Sequence, residues 1–296
     1  MRMIAVFEKS ERLRHIGHLD IQRFVQRGLR RSGLPVAYSN GFNPHILVTF
    51  ASALSTGACG KREIMDVTLA EPVTEAEFLR RMNAAMPPDM QLTEARAVED
   101  RHPALMASLR AASYDILIRD REAADRLFAA LPAMMDRERI LSVRKTKSGL
   151  REVDIKPLIF ALNAKGQHLY CTLALTEKEA CKPNMLLDAL CREAGMTEET
   201  GEASPGAVEV PEQGPDGPET GTEGPESAGA GEKNGRKRDR RGKRDDQRKT
   251  ATDSFGNPTE RTLTAPDRNG PVRTLVVRTA LLGEDAHGVL MPLERL

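Results

Sequence analysis

Apolar positions along residues 1–98 follow the spacing of alternating strands and helices. We predict a strand at 3–9, a helix at 17–32, strands at 45–52 and 64–70, a helix at 74–86 and a strand at 90–98. Gly33 and Pro35 end the first of these helices, because glycine accepts the left-handed conformation that closes a helix and proline cannot continue one. The order strand-helix-strand-strand-helix-strand is typical of a ferredoxin-like fold.

Residues 113–296 repeat part of this order and then interrupt it. We predict a strand at 114–119, a helix at 122–135, a strand-like hairpin at 140–155, a strand at 168–175 and a helix that begins at Pro183. No hydrophobic period continues through residues 197–270, where glycine, proline and charged residues predominate, so we expect a disordered charged linker there. The apolar segment at 272–282 predicts one more strand.

These patterns predict an α+β protein of two tandem ferredoxin-like lobes, with a long disordered insertion before the last strand. The predicted domains are a first lobe at 1–112, a second α+β lobe at 113–196, the linker at 197–270 and a C-terminal strand at 271–296 that completes the second lobe. The insertion adds little closure entropy, because that cost grows only with the logarithm of loop length.

Composition narrows the class of protein. Hydrophobic residues make up 40% of the chain, enough for packed cores, and no apolar run approaches the roughly 20 residues of a membrane span. We therefore expect a cytoplasmic protein that does not bind a membrane. The four cysteines lack C-x-x-C spacing, so we expect buried reduced thiols and neither a metal nor another cofactor.

The first predicted helix carries apolar residues on one side and arginine on the other. At about 100° per residue, Ile21, Val25 and Leu29 share the apolar side, where Gly28 is expected to let the sheet approach closely. The opposite side, called here the arginine face, consists of Arg23, Arg27, Arg30 and Arg31. Guanidinium groups on a rigid helix bind phosphates bidentately and release counterions, which predicts an RNA-binding surface. A solvated helix face is the alternative.

Titratable groups collect around this helix. His15, His18 and Asp20 lie at its entrance, and Tyr38 and His45 follow its end. Two such groups can act as general base and general acid on RNA, so all five are candidate catalytic residues. The alternative is that His18 packs or caps the helix and His45 closes a loop. A metal site is disfavoured, because no second set of carboxylates or cysteines accompanies them.

The loop at residues 38–45 is rich in residues with special backbone preferences. Gly41 accepts positive φ, Asn43 forms local turns and Pro44 has a restricted φ. Tyr38 and Phe42 can stack on bases, so we predict that Tyr38, Phe42, Asn43 and His45 contact RNA. A plain turn between strands is the alternative.

Two further basic segments are candidate RNA contacts. The hairpin at 140–155 carries Lys145, Lys147 and Arg151 around its turn, although exposed hairpins are often charged simply to protect their edges. Residues 236–249 hold nine basic and three acidic side chains, and the pattern does not separate an RNA-binding tail from a solubilising linker.

Over roughly residues 1–196 the chain resembles the radical SAM-associated protein family, a bacterial domain of unknown function found fused behind a radical SAM domain or as a separate protein. The resemblance rests on the motif His18-Leu19-Asp20 and on the segments 27–35, 38–45, 54–63 and 151–157. Relatives usually carry serine before this motif, whereas this chain has Gly17, so a side-chain cap is not expected there.

The resemblance implies a partner more than a reaction. A radical SAM cluster is held by a triplet of cysteines, and the four cysteines of this chain do not form such a cluster-binding triplet. Any radical step therefore belongs to a separate radical SAM protein acting in trans. Members of the family tend to occur with radical SAM proteins and with genes of RNA processing and the ribosome. We therefore expect an RNA-binding accessory or substrate-presenting protein for a radical SAM RNA-modifying enzyme, with tRNA or rRNA as the RNA.

Two alternatives stay open, and the residues leave undecided whether the protein is an enzyme. One is a metal-independent endoribonuclease, because CRISPR repeat-processing nucleases also combine tandem ferredoxin-like domains with an active-site histidine. The other is a module that binds only the radical SAM partner.

Overall fold

The computed structural model describes residues 1–146, 149–196 and 272–296. The first half contains, in chain order, β1 (Arg2–Lys9), α1 (His18–Arg31), β2 (Val48–Phe50), β3 (Cys59–Thr68), α2 (Glu75–Ala85) and β4 (Leu92–Val98). This is the predicted order, but β2 is shorter than expected and β3 begins earlier. An isolated bridge joins Tyr38 to Ile46, in the part of the predicted strand that precedes β2.

The second half adds one short α-helix at 105–108 and two strands at 159–165 and 290–292 that the pattern did not predict. It contains α3 (Leu105–Ser108), β5 (Leu109–Ile118), α4 (Arg121–Asp136), β6 (Leu141–Thr146), β7 (Gly149–Asp154), β8 (Ile159–Lys165), β9 (His168–Ala174), α5 (Pro183–Glu193), β10 (Thr274–Glu284) and β11 (Leu290–Pro292). The sequence of β8 includes alanine, asparagine and lysine, which are weak strand formers, and its pairing with β9 makes it a strand. The hairpin β6–β7 forms a separate two-stranded sheet.

Within the described ranges, the other strands form one nine-stranded sheet in the order β4-β1-β3-β10-β5-β9-β8, with β2 paired to β3 and β11 to β10. All neighbours are antiparallel except β3 and β10, whose parallel pairing joins Val277 to Cys59 and Arg278 to Gly60. The described residues thus form a mixed α/β protein with a mainly antiparallel sheet, consistent with the predicted α+β class. The whole of the predicted linker at 197–270 lies outside the described residues, and the predicted domain boundaries stay predictions.

Helix α1 packs into the first half through its apolar side. The buried cluster there includes Ile21, Val25 and Leu29 of α1, Phe78 and Met82 of α2, and Met3 and Met65 of the sheet. The prediction for Gly28 was wrong about its neighbour: a Cβ added there would lie 2.6 Å from the Sδ atom of Met86, just after α2. Glycine at this position therefore makes room for the end of α2 instead of for the sheet.

Candidate nucleic-acid interface

The arginine face is exposed along the whole of α1. Gly17 precedes the helix without a side-chain cap, as expected, and Gly33 follows it with φ of 66°. Arg23 pairs with Asp20 at 3.3 Å, and the Nη2 group of Arg31 donates to the carbonyl of Ala85 at 2.7 Å. All four arginines of the face are exposed.

Arg27 and Arg30 differ from their two neighbours on this face. Neither makes a hydrogen bond or an ion pair with any residue in the part of the chain that the structure describes. Their guanidinium groups therefore keep all their N–H donors available to an external acceptor.

A groove between α1 and α2 continues this basic surface. It has a volume of about 460 Å³ and is lined by Arg31, Ser32, Arg80, Arg81, Ala84 and Ala85. Arg80 and Arg81 both bind Glu77, at 2.7 and 2.6 Å, and these contacts lower the pKa of Glu77 to about 2, with the hydrogen bond from Arg80 as the largest cause. The sequence interpretation missed this groove, because a Glu followed by Arg three and four positions later indicates only local helix pairs.

The loop at residues 38–45 is closed by one serine and one histidine. The Oγ atom of Ser39 lies 2.8 Å from Nδ1 of His45 and accepts a hydrogen bond from the backbone N–H of His45 at 3.1 Å. Gly41 has φ of 120°, as the turn requires. The structure thus holds His45 by contacts within its own loop.

The aromatic side chains of this loop face solvent. Phe42 is fully exposed, and Tyr38 is 48% exposed. Asn43 and His45 are exposed beside them. A base can therefore reach these side chains without rearrangement of the core.

The other titratable candidates contact different parts of the fold. The Nε2 atom of exposed His15 accepts a hydrogen bond from Nε of Arg14 at 3.0 Å. His18 is half-buried, and its ring packs edge-on against Phe50 at 5.3 Å between centroids. The described contacts of His15, His18 and His45 lie in different parts of the fold.

The basic hairpin is only partly described. Arg151 is exposed and lies opposite Arg144 in the β6–β7 register. Lys145 lies opposite Leu150, but its side chain and the whole of Lys147 fall outside the described residues. Among the predicted hairpin contacts, only the side chain of Arg151 can therefore be placed.

A buried polar cluster at the centre of the sheet supports the entrance of α1. Arg278 on β10 is 2% exposed and pairs with Glu63 on β3, which is 4% exposed. Its Nε donates to Glu63 at 2.8 Å, and its other N–H groups bind Glu63, the hydroxyl and carbonyl of Ser52, and the carbonyl of Ala53. These bonds join the C-terminal strand to the segment that follows β2.

Lys9 extends this cluster towards α1. Lys9 is 3% exposed, and its Nζ group donates to the carbonyls of Arg14 and Ile16 at 3.2 and 3.0 Å. Burial lowers the pKa of this amine. The backbone N–H of Gly57 also donates to the carbonyl of Arg14 at 2.7 Å. The chain that enters α1 is therefore held by buried polar contacts, which set the orientation of the arginine face.

A cavity of about 280 Å³ lies beside this cluster. It is bounded by residues 53–58, Tyr114, Arg278 and the start of α5 at Lys182 and Asn184. Arg278 already uses its donors on protein acceptors, whereas Lys182 is exposed.

The cysteines behave as structural residues. Cys59, Cys171, Cys181 and Cys191 are free and buried, as predicted. The pKa values of Cys171 and Cys181 are raised to about 12, chiefly by burial, so both thiols stay protonated at neutral pH. In the described ranges, no helix has both the length and the apolar character needed to cross a membrane.

These features define a mixed α/β protein with a basic helical surface. The chain belongs to a bacterial protein family described as "uncharacterized protein conserved in bacteria (DUF2344)", whose family model matches residues 2–184. No curated protein matches this sequence.

Proposed function

We propose that this protein binds RNA, tRNA or rRNA, through the arginine face and presents it in the cytoplasm to a separate radical SAM enzyme that modifies RNA. The main support is the state of Arg27 and Arg30, which are exposed on a rigid helix without a partner in the described residues. Unpaired exposed guanidiniums on one face have the charge and the N–H donors that phosphate oxygens bind.

The surroundings of α1 support the same proposal. The groove formed with Arg80 and Arg81 widens the basic surface, and exposed Phe42 and Tyr38 provide rings for stacking. Binding that combines phosphate contacts with stacking favours RNA with accessible bases.

The proposal also includes a finer description of the fold. Each half of the sheet has the strand order expected for a ferredoxin-like lobe, β4-β1-β3-β2 in the first and β10-β5-β9-β8 in the second. We infer that the two halves are tandem lobes and that β10 returns across the sequence to complete the second.

The separation of binding from radical chemistry follows from the cysteines. All four are buried, and three of them have a pKa raised by burial to about 11 or 12, which disfavours the thiolate that an iron–sulfur cluster requires. A radical step therefore needs the partner protein.

Crosslinking of the protein in cells, followed by sequencing of the bound RNA, tests the proposal. We expect a variant with glutamine at Arg23, Arg27, Arg30 and Arg31 to recover much less RNA than the wild type. A matched control removes the same charge elsewhere, with glutamine at the exposed Arg101, Arg121, Arg126 and Arg139. Equal RNA recovery by both variants would refute the proposed surface, and purification of the wild type without any radical SAM protein would refute the partner.

A further inference from the structure

The second half of the sheet has one face packed by helices and one open face. On β9, Leu169, Cys171 and Leu173 point to the buried cluster that also contains residues of α4 and α5. Because strand side chains alternate, His168 and Tyr170 point to the other face. Tyr170 is 41% exposed there, so no element of the described protein covers it completely.

His168 and Tyr170 form a parallel aromatic pair on this face. Their ring centroids lie 5.8 Å apart and their planes differ by 11°. Asp115, on the neighbouring strand β5, lies with Oδ1 2.7 Å from Nδ1 of His168 and so fixes the orientation of the imidazole ring. The contact with Asp115 therefore holds this aromatic pair in place on β9, an inner strand of the second half of the sheet.

Cations surround one end of the pair. Lys165 on β8 is directly opposite His168 in the register and is exposed. Arg119 follows β5, Arg273 precedes β10, and the backbone N–H of Arg119 donates to the carbonyl of Arg273 at 3.0 Å. By strand alternation both arginines lie on the same face as His168, and both are exposed.

The acidic groups near this end already bind other side chains. Asp115 binds His168, and Glu11 binds Arg119 at 3.1 Å as well as Arg14. Lys165 and Arg273 have no ion pair within the described residues. The open face thus combines two aligned rings with uncompensated positive charge.

We propose that this open face is a second binding surface, which takes unstacked bases of single-stranded RNA on Tyr170 and His168 with the phosphates beside Lys165, Arg119 and Arg273. Four-stranded antiparallel sheets with exposed aromatic residues on central strands bind single strands in this way. The inference rests on the proposed RNA-binding function and adds the class of RNA. Duplex RNA keeps its bases stacked and is not a ligand of the rings.

Fluorescence anisotropy of the full chain with labelled oligouridylate, and with a duplex of oligouridylate and oligoadenylate, tests this surface. We expect Tyr170→Ala to weaken single-strand binding by about 5- to 100-fold, because removal of one stacking ring has that effect in other proteins. Tyr170→Phe keeps the ring and is expected to bind like the wild type. Met106→Ala, at an apolar side chain that is 49% exposed outside the sheet, is the control for surface truncation.

The outcomes separate this inference from the function on which it rests. Unchanged oligouridylate affinity in Tyr170→Ala, or an equal loss for the duplex, would overturn the stacking surface while RNA binding by the arginine face stood. If the wild type binds neither probe and the four-arginine variant recovers as much RNA as the wild type, the proposed function itself fails. Thermal unfolding of each variant checks that an affinity loss does not arise from misfolding.

Discussion

Arg278 inside the sheet and Arg27 on the face of α1 carry the same guanidinium group in opposite surroundings. Arg278 is 2% exposed, and its donors are bonded to Glu63 and to the chain after β2. Arg27 is exposed and has no partner among the described residues. A buried charge needs hydrogen-bond and ion-pair partners within the protein, whereas an exposed charge is solvated and can bind a ligand. The partners of an arginine therefore indicate its role better than its position in the sequence does.

Arg278→Ala is expected to give the largest effect on this comparison. It leaves the carboxylate of Glu63 buried without its cation, which costs about 3–5 kcal/mol in the free energy of unfolding. Urea denaturation measures the change. The double variant Arg278→Met with Glu63→Gln, which removes both charges, is expected to recover part of the loss, and a single alanine variant as stable as the wild type would contradict the structural role.

The double variant Arg27→Gln and Arg30→Gln is expected to show the opposite behaviour. Its free energy of unfolding should stay within about 0.5 kcal/mol of the wild type, because neither side chain bonds to the described protein. RNA affinity should fall, and the slope of log affinity against log salt concentration should decrease by about 2, one for each phosphate contact. Arg101→Gln with Arg121→Gln is the control, and an unchanged salt slope in the first pair would contradict the phosphate contacts.

Glu77, Arg80 and Arg81 lie between these two extremes, because both arginines are accessible to solvent and are also paired with Glu77. The folded-state pKa of Glu77 is lowered to about 2, below its unfolded value of about 4.3. The associated stabilisation is complete above the unfolded value and is lost as pH falls towards 2. Because these side chains are partly or fully exposed to solvent, salt should weaken the effect.

An NMR titration of the Glu77 carboxyl carbon measures this shift. Arg80→Gln should raise the pKa of Glu77 towards its ordinary value, since the hydrogen bond from Arg80 is the largest cause of the lowering. Titration of wild-type Glu77 near pH 4 at low salt would show that the two arginines are free instead of bound to it.

The smallest expected effect concerns the histidines. If RNA binding is the activity, labelled RNA should remain intact during long incubation with the wild type, and His15→Ala, His18→Ala and His45→Ala should change nothing in that assay. Gel analysis of RNA length is the measurement. Products with a cyclic phosphate that disappear in one of these variants would favour the endoribonuclease alternative.

Local patterns predicted much of the fold because they reflect local physics. The apolar period of α1, its glycine and proline ending, and the segment that became β10 were all recognisable from neighbouring residues. The pattern did not predict β8, since its strand state depends on pairing with β9. It also misassigned the neighbour of Gly28, because Met86 reaches it through tertiary packing.

The candidate site divides in the same way. Helical spacing placed Arg23, Arg27, Arg30 and Arg31 together, and all four are exposed. The groove at Arg80 and Arg81 joins residues about 50 positions apart, and no local pattern connects them. A stronger indication was available for Arg278, an arginine in the middle of the apolar segment at 272–282, although its partner Glu63 was not identifiable.

The amino-acid order alone established the amphipathic helix, the basic character of its outer side, most strands and the buried cysteines, because each depends on side-chain periodicity over a few turns or pairs of residues. Folding in three dimensions established which arginines have partners. It also placed β10 between β3 and β5 and aligned His168 with Tyr170 on an open sheet face. Those features depend on contacts between segments that are distant in the sequence. The pairing of Arg278 with Glu63 and the absence of a described partner for Arg27 are two examples.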